Sequence, residues 1–105
     1  MKKDRTHDEA MIELFKEDPN YAIKLLNSIL EDGDQGELLI ALRQLSEAVG
    51  GIKAIAEETH LNPTQLYRTL SAKGNPTLNN FSGILRSLNL HLVVARNNPR
   101  SSNHA

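Results

Sequence analysis

The chain has 105 residues, 24% of them Asp, Glu, Lys or Arg, with a formal net charge of −1 and no cysteine. That length suits one domain with a modest core, and the lack of thiols excludes a disulfide framework or a thiolate metal site. No apolar run is long enough to span a membrane and no charged-then-apolar leader opens the sequence, so the expectation is a cytoplasmic protein.

Helix signals account for nearly all of the chain. His7 to Glu17 carries Met11, Ile12, Leu14 and Phe15 as an apolar stripe of helical period. Asp18-Pro19 is a restart, with an acid as N-cap and Pro at the first helical position. The second helix runs to about Glu31, buries Ala22, Ile23, Leu26, Ile29 and Leu30, and can end on Gly33. A capping-box pattern from Asp34 to Glu37 opens a third helix with Leu38, Leu42, Leu45 and Val49 on one face, broken by Gly50-Gly51.

Two short helices follow, roughly 52–58 and 63–72, the second opened by Asn62 and Pro63 with Gln65 completing an N-x-x-Q box. Counting from Ile52, small Ala56 falls fifth, where two crossing helices leave no room for a longer side chain. Ile55, Leu61 and Leu66 fall fourth, tenth and fifteenth, pointing into the crossing. This is the spacing of a DNA-binding helix-turn-helix. The ninth position, usually Gly, is His60, which can adopt a positive φ at some cost. Pro76 stops helix before Thr77, which caps a last helix bearing Leu78, Phe81, Ile84, Leu85 and Leu88. Leu90 to Val94 alternates and is rich in branched residues, predicting a short strand. With no partner strand in a helical chain, it needs another copy or another protein, or packs as extended chain. The tail from Asn97 is expected to be disordered.

Charge is split along the chain. Up to Glu37 there are ten acids against five bases; from residue 38 there are seven bases against three acids, and no acid follows Glu58. A polyanion such as double-stranded DNA is repelled by the first part and tolerated by the second. With the second motif helix in the major groove, Thr64, Tyr67 and Arg68 are candidates for base edges, Arg68 foremost because its fork pairs with guanine O6 and N7. Gln65 can read adenine in the same bidentate way unless the capping box holds it. Lys53, Ser71, Lys73 and Asn75 are placed for phosphates, which position without specifying. The plainer alternative makes Arg68 and Lys73 solvated charges and Tyr67 half-buried core.

Nothing points to catalysis or to a cofactor. The four His, at 7, 60, 91 and 104, have neither Cys partners nor metal-ligand spacing. No nucleophile elbow or phosphate-cradling glycine loop occurs, so neither catalytic residues nor metal ligands are assigned and a non-enzyme is expected.

Leu66-Tyr67-Arg68, the stretch Gly74-Asn75-Pro76-Thr77 and the ending Leu90 to Val94 carry a family resemblance over about residues 34–94. The chain resembles the antidote proteins of HigA-like toxin–antitoxin modules, within the lambda-repressor/Cro class of helix-turn-helix regulators. The resemblance implies a lambda-repressor-like bundle, and with the helices read before it the expected fold is all-α with two extra N-terminal helices and a short C-terminal strand. It also implies a homodimeric repressor of its own operon that neutralises a RelE/ParE-like toxin. The corresponding division is an acidic helical segment at 1–33, a DNA-binding domain at 34–96 and a tail at 97–105. The first segment either thickens the core or docks a basic toxin, with Met11 or Phe15 as apolar anchors. Two other readings stand beside this one: a protein-interaction module with little DNA affinity, and an orphan regulator without a toxin.

Overall fold

Residues 6–97 are described by a computed structural model and form six helices whose boundaries are set by local chemistry. α1 (His7–Glu17) starts at Thr6, whose hydroxyl accepts from the Glu9 N–H at 3.0 Å while the Glu9 carboxylate accepts from the Thr6 N–H at 3.0 Å. The reciprocal box satisfies two donors that the first turn would leave orphaned. Asp18 ends α1 and caps α2 (Pro19–Asp32), accepting from the Tyr21 N–H at 3.2 Å. Gly33, at φ +80°, closes α2 in the left-handed conformation that favours glycine. Asp34 caps α3 (Gln35–Val49) through the Glu37 N–H at 3.0 Å. After the break at Gly50-Gly51 come α4 (Ile52–Thr59), α5 (Pro63–Thr69) and α6 (Leu78–Ser87).

α3 is the central element. α1 and α2 pack on it and on each other, α4 also touches it, and α4 in turn contacts α5 and α6. One hydrophobic cluster runs through all six helices, from Phe15 and Leu26 through Leu42 and Ile55 to Leu66 and Ile84. The first two helices therefore contribute directly to the core that holds the α4–α5 unit. The rings of Phe15 and Tyr21, 6.2 Å apart and tilted, pack the corner between α1 and α2. Ser46, buried on α3, satisfies its hydroxyl by donating to the Leu42 carbonyl at 2.8 Å.

Four expectations are corrected. The strand at Leu90–Val94 is not formed: from Leu90 to Asn97 the chain has no regular secondary structure. A lone strand has no ladder to join, and there is no second strand among the described residues. Asn89, at φ 64°, turns the chain out of α6, and Leu90 packs back against the core. The second motif helix stops at Thr69, with Leu70 as its cap, rather than running to residue 72. Ile23 and Leu30, expected to be buried, are 40% and 44% exposed, and Val49 and Leu78, from the apolar sets of α3 and α6, are 55% and 72% exposed. Leu30 and Leu78 line one open hollow with Leu38, Phe81 and Leu92 that no helix fills. Phe15 cannot anchor a partner, being 1% exposed in the core. The expected disordered tail lies, after Asn97, outside the described residues.

Candidate nucleic-acid interface

The turn between α4 and α5 is built without glycine. His60 adopts φ 61° and ψ 26°, and its N–H donates to the Ala56 carbonyl, as does that of Leu61 at 3.2 Å. An L residue in this region costs on the order of 1 kcal/mol; the side chain itself remains in solvent. Ala56, 1% exposed, fills the close crossing that the spacing predicts. Asn62 then accepts from the Gln65 N–H at 2.7 Å and starts α5. Leu66 and Leu70 are fully buried, which turns Thr64, Gln65, Tyr67 and Arg68 outward.

Lys53 from α4 and Thr64, Tyr67 and Arg68 from α5 line one open hollow of about 610 Å³, together with Ile52 and Pro63. Two cations, a hydroxyl and a phenol thus share one surface, a mixture suited to phosphate oxygens and base edges. Gln65 is exposed, and its amide makes no reciprocal bond to the Asn62 backbone, so it is not held by a capping box. The other expected residues are less closely grouped. Ser71 donates its hydroxyl to the Arg68 carbonyl at 2.7 Å. Lys73 is exposed on the turn after α5. Asn75 lies at a different hollow, beside Gln35, Pro76, Leu78 and Phe81.

The turn after α5 has its own construction. A Cβ on Gly74 would sit 1.8 Å from the Thr69 carbonyl oxygen, so only glycine lets the backbone pass there. The Gly74 carbonyl accepts from Gln35 Nε2 at 3.1 Å, tying the turn to the start of α3.

Arg43, on α3, was not among the expected site residues. Its guanidinium lies 5.6 Å from the centroid of the Tyr67 ring, within cation–π range. The same guanidinium is hydrogen-bonded to the Asp8 carboxylate of α1, which also accepts from Gln44 Nε2 at 2.9 Å. The only trace of this in the sequence is a single base amid the apolar positions of α3. Among the described residues no group of three or more His, Cys, Asp or Glu could hold a metal ion, and no helix is long and apolar enough to cross a membrane.

A search of curated proteins and a search of solved structures both find no match. A family model described as "probable addiction module antidote protein" matches residues 9–96. The match extends well beyond the α4–α5 unit: it takes in nearly all of α1 and all of α2, and it runs on through the extended segment after α6. Because it covers almost the whole helical body, including helices that the resemblance at 34–94 left out, the chain belongs to the family of probable addiction module antidote proteins.

Proposed function

We propose that the protein is an antitoxin that binds operator DNA as a homodimer, represses its own operon and neutralises a RelE/ParE-like toxin. In this reading α4 and α5 form a helix-turn-helix of the lambda-repressor/Cro class, and α5 enters the major groove. The observation that carries it is the gathering of Lys53, Thr64, Tyr67 and Arg68 on one outward surface while Leu66 and Leu70 face the core. Gln65, Ser71, Lys73 and Asn75 complete the contact set, with Lys73 on phosphate. A homodimer fits because one recognition helix reads only a few base pairs, and two-fold symmetry doubles the site.

A second reading, as a protein-interaction module, draws on the apolar exposure of Leu78, Leu92, Val93 and Val94. These residues do not line the Lys53–Arg68 hollow, although Leu78 and Leu92 share a second hollow with Asn75, so the two readings overlap only at that edge of the contact set. An electrophoretic shift assay on the promoter region of the protein's own gene, at fixed salt, tests the DNA reading. The expected result is a shift that survives excess scrambled competitor. Equal competition by scrambled DNA would remove the repressor reading and leave the interaction module.

A further inference from the structure

We propose that Arg43 is a positioning residue for DNA reading: Asp8 of α1 holds its guanidinium against the Tyr67 ring, so the acidic first helix sets the conformation of a side chain on the reading surface. The inference rests on the DNA-binding reading of α5.

Three observations converge on it. The Arg43 side chain is 16% exposed and largely withdrawn from water, whereas its Asp8 partner, 39% exposed, lies at the solvent edge. Among the described residues Arg43 Nε is buried with no hydrogen-bond acceptor. An arginine in such a place is a weak stability choice, because desolvation offsets much of the pair's attraction and one donor goes unsatisfied. Stability alone gives little reason for a guanidinium here, and its surroundings supply one. It faces the Tyr67 ring on one side and the Asp8 carboxylate on the other. Gln44 Nε2 donates to the same carboxylate oxygen and fixes it from a second direction.

The contact acts on the proposed DNA surface through Tyr67. A cation against the ring restrains Tyr67, which is half-exposed and otherwise free to change rotamer.

The test combines nuclear magnetic resonance with a double-mutant cycle on DNA affinity. In the unaltered protein the Arg43 δ-methylene resonances should be shifted upfield by the Tyr67 ring current, and the shift should collapse in Tyr67→Leu and shrink in Asp8→Asn. Arg43→Met should weaken operator binding by about threefold to thirtyfold, the range that a cation–π contact converts to. In a Tyr67→Leu background the same substitution should cost less than about half of that factor, since the ring it positions is gone. Arg43→Lys, which keeps the charge, should recover part of the loss. A purely structural Arg43 would weaken binding equally in both backgrounds, and that result, or an absence of the ring-current shift, overturns the proposal. If the unaltered protein gives no specific DNA complex, the DNA-binding reading fails, and with it any role for Arg43 in DNA reading. The resonance measurement then still separates that failure from an absent Asp8–Arg43–Tyr67 contact.

Discussion

Arg68 and Lys73 are both exposed cations near the end of α5, yet they should behave differently. Arg68 lies in the hollow shared with Thr64 and Tyr67, where a guanidinium can meet a base edge. Arg68→Ala should therefore cost roughly 1–3 kcal/mol at one base pair of each half-site and relax preference there. Lys73, on the following turn, should act on phosphate alone, so Lys73→Ala should weaken cognate and scrambled DNA alike and flatten the salt dependence. Affinities measured against both sequences over a salt series check the pair; identical behaviour of the two variants would misplace the reading face. At His60 the outcome concerns stability. His60→Gly removes the cost of a left-handed L residue without touching a buried side chain, so thermal unfolding should show a gain of about 1 kcal/mol. A loss instead would mean that the imidazole makes a contact the backbone geometry does not require.

At the scale of elements, the helix starts were legible because their chemistry is local. Asp18-Pro19, Asn62-Pro63 and Thr77 each cap through a bond spanning three residues, so the sequence alone contains both partners. Ala56 and Leu66 were legible for a similar reason, since the crossing of two neighbouring helices fixes their spacing. The Asp8–Arg43 bond was not, because 35 residues separate the partners and no periodicity links them. The segment after Leu90 misled because alternation describes what a strand would need without supplying its neighbour. That segment leaves Leu92, Val93 and Val94 in solvent, and a second copy is the proposed cover. Val93→Lys places a charge on an already exposed position, so folding should be unaffected while self-association is lost. Light scattering at tens of micromolar should report a dimer before the change and a monomer after it. A dimer that persists in Val93→Lys would move the interface elsewhere, for instance to the exposed edge of α6.

Taken whole, the molecule separates its charges more sharply than its net of −1 suggests. Glu17, Asp18, Glu31 and Asp32 are all exposed on the first two helices, whereas Lys53, Arg68 and Lys73 lie on the α4–α5 side of the chain. A basic, RNA-cleaving toxin would meet the first group with complementary charge, and DNA would not compete for it. Phe15 belongs to the core, so anchors for such a partner must come from the surface, where Tyr21 and Ile23 of α2 are available. Removing the first 31 residues would take away part of the core, so surface substitutions make the cleaner test. Glu31→Lys with Asp32→Lys should slow association with the toxin by about tenfold or more at low salt and leave operator binding intact or improved. Stopped-flow association at two ionic strengths reads this out. An unchanged rate would assign the toxin to another face.

The hydrophobic cluster that joins α1 through α6 bears on how long the protein lasts in a cell. Since no helix has a core of its own, the chain should open as one cooperative unit, and a protease that attacks only opened chain would remove both proposed faces in the same event. A loss of 1.4 kcal/mol anywhere along that cluster raises the opened fraction about tenfold. Substitutions in that core outside both proposed faces, at Leu42 or Ile84 for example, would thus set the amount of antidote present, and through it the supply of free toxin.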